Sequence, residues 1–186
     1  MPVPKPPSTE LQDSVAAELA SWIADMPDVD AHIEAARQRI GRMARLFDRL
    51  LTRVAADNGL TAGDWAALSA LQRSGAPYQA SPTALSQQLG VTSGTMSVRL
   101  NRLSSAGLVE SVTATDGRSK PVRLTARGQA RWRAATQERT AQEQSLFTEA
   151  LTADELRELN LLLSRLLRRL EDEFGQVSRH DVPKDA

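Results

Sequence analysis

The sequence contains no cysteine and only two histidines, His32 and His180. The missing thiols exclude disulfides, thiolate metal sites and thiol-based redox sensing. The two histidines lie far apart along the chain, so they form no recognisable metal-binding pair. The sequence also lacks an apolar run long enough to span a bilayer and, near residue 1, the apolar core of a signal peptide. We therefore expect a cytoplasmic protein with no cofactor and no membrane partner.

Motifs of catalysis are missing as well. The sequence has no nucleophile elbow, no glycine-rich loop that would bind phosphates and no paired carboxylates with a suitable partner. Four serines near the middle of the chain have no neighbouring histidine that could act as a base. They are Ser86, Ser93, Ser97 and Ser104. The sequence therefore argues against an enzyme.

Positive charge is concentrated in one part of a chain whose formal net charge is zero. Residues 91–133 include eight arginines and lysines but only two acidic residues. The first 36 residues include seven acidic residues and one lysine. A protein that is neutral overall can therefore present a strongly basic face to phosphates.

The basic segment overlaps the pattern of a helix-turn-helix. Ser81 followed by Pro82 is typical of a helix start, and Gly90 is typical of the turn after a short helix. A second helix is predicted to begin at Thr92 or Ser93, since either hydroxyl can cap it. The apolar face of this second helix consists of Met96, Leu100 and Leu103.

The polar face of the second helix suits nucleic acid. Its side chains are Thr95, Ser97, Arg99 and Arg102. Hydroxyl and guanidinium groups bind phosphates and base edges, and the second helix of a helix-turn-helix enters the major groove. The sequence therefore predicts double-stranded DNA as a partner.

The rest of the chain is predicted to be helical apart from one hairpin. Capping residues and apolar periodicity predict helices at about residues 9–26, 30–58, 61–74, 126–149 and 152–174. Strands at 108–112 and 121–124 flank a turn at Asp116 and Gly117. The predicted fold class is mainly α with a small β-hairpin wing, a winged helix-turn-helix with long N- and C-terminal dimerisation helices.

The domain boundaries follow from these elements. They are 1–29 for an N-terminal extension with one helix, 30–175 for the main domain and 176–186 for a flexible tail. Within the main domain the winged helix-turn-helix covers about 60–125, between dimerisation helices at about 30–58 and 126–174.

The last predicted helix carries a leucine stripe that must be buried. Its leucines are spaced 3, 4, 3 and 4 residues apart from Leu156 to Leu170. Such a stripe packs either on its own domain or on a second copy of the chain. We favour a homodimer, because the long helices have little surface within the domain to cover. Two recognition helices on a two-fold axis would then read a palindrome with half-sites about 34–36 Å apart.

Two stretches of the chain resemble a known family. The stretch DGRSKPVRLT, residues 116–125, is similar to the D-x-R-S-x-x-V-x-L-T wing of the MarR family of bacterial transcription regulators. The stretch TSGTMSVRLNRLSSAGLV, residues 92–109, is similar to the recognition helix and first wing strand of that family. With the flanking helices, the resemblance covers about residues 30–175 and implies a DNA-binding regulator.

The resemblance also implies roles for single residues. Arg118 would enter the minor groove from the tip of the wing, held by a salt bridge from Asp116. Arg102 has two open roles, a phosphate contact or a salt bridge within the domain. A serine in the position of Ser93 is more often only a helix cap, although helix N-termini also bind phosphate. The predicted DNA-binding set is Ser93, Thr95, Ser97, Arg99, Arg102, Asp116, Arg118 and Lys120.

The N-terminal extension resembles that of a urate-responsive branch of the family, whose extra helix carries a tryptophan in the ligand pocket. This implies ligand-binding roles for Trp22 and Arg99, although a tryptophan beside apolar residues of a helix is more often a core anchor than a ligand-binding residue. Two other ligand positions differ, since Ala66 replaces an acidic residue and Ser111 replaces an arginine. Losing this charge pairing argues against urate and leaves another small-molecule effector.

The predicted function is a sequence-specific DNA-binding transcriptional regulator, acting as a ligand-responsive homodimeric repressor on a palindromic operator. The alternative is a winged-helix module for protein–protein assembly that has no operator of its own. That alternative predicts a recognition face without basic residues. The side chains that argue against it are Arg99, Arg102, Arg118 and Lys120.

Overall fold

The computed structural model of the chain describes residues 13–26, 28–112 and 120–176. The elements are α1 (Ser14–Asp25), α2 (Ala31–Asp57), α3 (Ala62–Arg73), β1 (Gln79–Ala80), α4 (Pro82–Gln88), α5 (Ser93–Ser105), β2 (Val109–Ser111), β3 (Val122–Leu124), α6 (Ala126–Ala150) and α7 (Ala153–Phe174). The chain divides into two compact units, Met1–Leu50 and Leu51–Ala186, with the boundary inside α2. The predicted fold class, mainly helical with a small antiparallel sheet, is confirmed.

The first unit consists of α1 and the N-terminal part of α2. Asp13 caps α1, since its carboxylate accepts hydrogen bonds from the backbone N–H groups of Val15 and Ala16 at 3.0 and 2.8 Å. The same carboxylate forms an ion pair with Arg39 of α2, in which Arg39 Nε donates to an Asp13 carboxylate oxygen at 2.7 Å. The cap lies later than the predicted start at residue 9, a position outside the described residues.

Threonine and serine hydroxyls define most helix starts in the second unit, as predicted. Each accepts a hydrogen bond from a backbone N–H in the first turn, which satisfies a donor that has no partner within the helix. The caps of α3 to α7 are Thr61, Ser81, Thr92, Thr125 and Thr152. Of the two caps left open for α5, Thr92 is the observed one, accepting from Thr95 N–H at 3.1 Å.

The core of the second unit lies between α3, α4, α5, α6 and the sheet. Its largest fully buried side chains include Leu68, Leu71, Leu85, Met96 and Leu103. Two tryptophans join α3 to α6 by indole hydrogen bonds, from Trp65 to Thr136 at 3.0 Å and from Trp132 to Ser69 at 2.8 Å. This packing fixes α5 through its apolar side.

The sheet has three short antiparallel strands in the order β1-β3-β2. In the hairpin, Glu110 of β2 lies opposite Arg123 of β3, and the two side chains form an ion pair at 2.6 Å. β1 was not predicted, because a strand of two residues is too short to show alternation. It pairs with β3 in the register Gln79 opposite Arg123.

The last helix, α7, differs from the others because none of its residues is buried. Four of the five leucines of its stripe are between 37 and 46 % exposed. Its start is fixed locally by a capping box, in which Thr152 and Glu155 satisfy each other's backbone N–H groups. Over the described ranges, no helix is long and apolar enough to cross a membrane.

Candidate nucleic-acid interface

The helix α5 has one buried face and one exposed face. Met96, Leu100 and Leu103 are buried in the core, as their spacing predicts. The opposite side carries exposed residues from Ser93 to Ser105. Because the buried face is fixed by packing, the exposed face is presented on a rigid element.

Two predicted contact residues on this face have hydroxyls that are already hydrogen-bonded. Thr95 Oγ1 lies 2.9 Å from Thr92 Oγ1, and Ser97 Oγ donates to the carbonyl of Ser93 at 2.9 Å. All four of these residues are exposed. A hydroxyl has one donor and two acceptor sites, so both groups keep capacity for a partner outside the protein.

Arg102 forms the salt bridge that was one of its two open roles. Its partner Asp64 is only 3 % exposed and also completes the capping box of α3. The Asp64 carboxylate accepts Arg102 Nε at 3.1 Å and Nη2 at 2.5 Å, together with the Thr61 N–H at 2.9 Å. This bidentate pair ties α5 to the start of α3. Half of the Arg102 side chain stays exposed, so the pairing leaves room for a phosphate.

Arg99 lies against the first turn of α3. Its guanidinium occupies the space next to Gly63 where the Cβ of any larger residue would be. Burial lowers the pKa of Arg99, while the charge of Asp64 acts in the opposite direction and that of Arg102 adds to the lowering. The side chain is therefore half-buried beside α3 in the free protein, on the border of the exposed face of α5.

The base of the wing is described, but its tip is not. Lys120 is exposed next to β3, and Ser111 is exposed at the end of β2. Asp116 and Arg118, the predicted minor-groove pair, lie outside the described residues.

The predicted effector residues belong to different elements. Trp22 lies on α1 and is 44 % exposed within its unit, so it is not a fully buried anchor there. Arg99 lies on α5, as described above, and Ala66 packs against the core of the second unit. Trp65 is a core residue. In the part of the chain that the structure describes, no group of three or more metal-ligating side chains occurs.

Two residues of the exposed α5 face were missed in the sequence. Val98 is 66 % exposed and Asn101 is exposed beside it. The signal was available, because at 100° per residue Val98 lies opposite the stripe of Met96, Leu100 and Leu103. An apolar side chain is not expected to have a role on a solvent face, so the helical pattern alone assigns none to Val98.

Comparisons with known proteins agree with this geometry. The MarR family profile matches residues 58–119, which include α3, α4, α5 and β2. The chain is 29 % identical over 150 residues to the HTH-type transcriptional regulator PecS of Dickeya dadantii (strain 3937), covering 80 % of this chain and 90 % of that protein.

Solved structures give the same picture. The reduced form of MarR from E. coli is 31 % identical with a TM-score of 0.59, covering 70 % of this chain and 94 % of that one. A MarR mutant from E. coli complexed with operator DNA is 28 % identical with a TM-score of 0.56, covering 73 % and 96 %. These relatives are transcription regulators.

Proposed function

Because the chain belongs to the MarR family of transcription regulators, whose members bind operator DNA, we propose that it is a homodimeric repressor released by a small-molecule effector. In this proposal residues 30–175 form the regulator domain, residues 1–29 an N-terminal extension and residues 176–186 a tail. The observation that carries the proposal is α5, a helix buried on one side and bordered on the other by arginines.

The DNA contacts are proposed to come from α5 and the wing. Ser93, Thr95 and Ser97 lie on the exposed first turns of α5, where a helix N-terminus favours phosphate. Arg99 and Arg102 lie along its border and would meet phosphates or base edges. Lys120, Asp116 and Arg118 complete the proposed set from the wing, with Arg118 in the minor groove.

A second copy of the chain is the proposed partner of α7. An exposed leucine stripe of this length is costly in water, at about 25 cal/mol per Å² of apolar surface. Beside the stripe, α6 and α7 enclose a cleft of about 440 Å³ that is lined by Phe147, Leu156, Leu159 and Leu163 among others. A self-complementary apolar patch is what a two-fold dimer buries. The dimer would place two α5 helices for a palindromic operator.

The effector is proposed to act by shifting the dimer between two spacings of its recognition helices. One form of the dimer has a spacing that fits the operator and the other does not. A ligand that binds the second form more tightly than the first shifts the population away from operator binding. Trp22 and Arg99 stay the proposed ligand residues. A planar anion such as urate is not the favoured ligand, because Ala66 and Ser111 lack the charges that would orient it.

The protein–protein assembly alternative has less support. A module of that kind needs no cations along its recognition helix, whereas Arg99 and Arg102 border α5 here. The operator-bound relative also favours DNA.

The test is binding of the full-length protein to the DNA upstream of its own gene, measured by fluorescence anisotropy over a salt series. We expect tight binding with two protomers per site, and an affinity that falls steeply with salt as counterions are released. A scrambled duplex of the same length and composition is the control. Equal affinity for both duplexes, followed by a genomic pull-down that recovers no DNA site, would reject the proposal.

A further inference from the structure

Val98 lies in the middle of the exposed face of α5 and is 66 % exposed. It is one turn from Gly94 and Asn101 and opposite the buried Met96 and Leu100. A β-branched residue also lowers helix propensity. Neither packing in the core nor helix stability therefore accounts for a valine at this position.

The neighbours of Val98 leave its two methyl groups uncovered. Gly94, one turn before it, has no side chain, and a Cβ built there would meet only Thr92 Oγ1, at 3.9 Å. Arg102, one turn after it, is directed to Asp64 at 2.5 Å. Thr95 holds its hydroxyl close to Thr92. The centre of the face is thus a small apolar surface, and the polar ends of the neighbouring Thr95 and Arg102 have partners within the protein.

Resting on the proposed function, we propose that Val98 is a specificity-determining residue that packs against the 5-methyl group of a thymine in the major groove. Among the four bases, thymine alone presents an apolar group in that groove. A valine side chain makes no hydrogen bond, so it packs favourably against this methyl group. Opposite another base, it would leave a hydrogen-bond donor or acceptor of that base edge unsatisfied. The absent side chain at Gly94 gives the base edge room to approach.

The test uses deoxyuridine, which differs from thymidine only by the missing 5-methyl group and keeps the same base pair. The operator is first obtained by selecting genomic fragments with the full-length protein. Each thymine of one half-site is then replaced singly by deoxyuridine, and binding is measured by fluorescence anisotropy. We expect one position at which the replacement weakens binding by about fourfold, the change that corresponds to one buried methyl group.

The matched variants are Val98→Ala and Asn101→Ala. The Val98→Ala protein should bind the thymine and deoxyuridine operators with equal affinity and with an unchanged salt dependence, because no charge is lost. The Asn101→Ala protein should keep the fourfold preference for thymine, whatever its overall affinity. Circular dichroism should find all three proteins equally folded, since both side chains are exposed.

Two results would overturn the inference while leaving the regulator itself intact. One is a wild-type protein that binds its operator selectively but is indifferent to every deoxyuridine replacement. The other is a Val98→Ala protein that retains the wild-type preference. Failure to select any DNA would instead reject the proposed function, and with it the role of Val98.

Discussion

The helices α5 and α7 are both amphipathic, yet their apolar faces differ in how far they are buried. α5 buries Met96, Leu100 and Leu103 in the core of its own unit and leaves a mainly polar face outside. α7 has a longer leucine stripe but buries none of its residues. The winged helix-turn-helix is therefore stabilised within one chain, whereas the described residues leave the leucine stripe of α7 partly exposed, and we propose that a second copy of the chain covers it.

The largest effect is expected from changing the leucine stripe of α7. Leu163→Glu together with Leu166→Glu should prevent dimerisation, because each chain would bury two carboxylates in the proposed apolar dimer interface along α7. DNA affinity should fall on the order of a hundredfold, since the second half-site no longer contributes. Analytical ultracentrifugation and anisotropy measure the two effects.

Arg168→Glu is the matched control for this pair, because Arg168 lies on the opposite side of α7 from Leu163. It changes charge on the same helix and should leave the dimer intact. If the leucine variant still sediments as a dimer, α7 does not form the dimer interface. The proposal that a second copy of the chain covers its leucine stripe would then be wrong.

The wing is expected to have the next largest effect. Arg118→Ala should weaken operator binding by about tenfold and reduce the slope of log K against log salt by about one, because one cation leaves the phosphate-lined minor groove. The dimer should be unaffected. Lys120→Ala is the comparison variant, with a similar change in slope but no change in sequence preference. An Arg118→Ala protein with wild-type affinity would disprove the wing assignment.

Within the recognition module, the bridge between Asp64 and Arg102 offers a smaller test. Arg102→Ala leaves the buried Asp64 carboxylate without its main partner and should cost about 1–3 kcal/mol in the free energy of unfolding. Asp64→Asn combined with Arg102→Ala should cost less than the two single changes together, because no buried charge remains unpaired. Urea unfolding measures all three variants, and strict additivity would contradict the coupling.

Arg102 variants also separate the two roles that this residue can have. If Arg102 acts only by tying α5 to α3, Arg102→Ala and Asp64→Asn should weaken DNA binding with the same salt slope as the wild type. A slope reduced by about one in Arg102→Ala alone would assign a phosphate contact to Arg102 as well.

The smallest effect is expected at the surface contact between α1 and α2. The hydrogen bond from Arg39, helped by the N–H of Ala16, lowers the pKa of Asp13 to about 2. A lowered carboxylate pKa stabilises the folded state above the ordinary value near 4, and this contribution is lost as the pH falls toward 2. Arg39→Ala should raise the pKa of Asp13 while the backbone cap keeps it below the ordinary value. An NMR titration in which this pKa does not move would rule out the ion pair.

Features that depend on residues close together in the chain could be predicted from the sequence. A hydroxyl at Thr61, Ser81 or Thr152 caps a helix because its partners lie within three residues, so the signal is contained in the sequence itself. The apolar spacing of α5 likewise predicted which side is buried. The start of α1 and the two-residue strand β1 were not predicted, since neighbouring caps compete and two residues have no period.

The candidate site was predicted only in part, because its details depend on contacts between distant residues. The sequence leaves two roles open for Arg102, because its partner Asp64 is 38 residues away in the chain and only the fold brings the two side chains together. The position of Arg99 depends on the missing side chain of Gly63 on another helix.

The sequence by itself determined the helices of the second unit, the caps of α3, α4 and α7 and the buried side of α5, since each depends on neighbours within about one helical turn. It also determined where the basic charge is concentrated. Only the tertiary structure decided that Asp64 binds Arg102 and that Arg99 lies along α3. The physical reason is that a charge or a methyl group acquires its energy from what surrounds it, and those surroundings are assembled by folding.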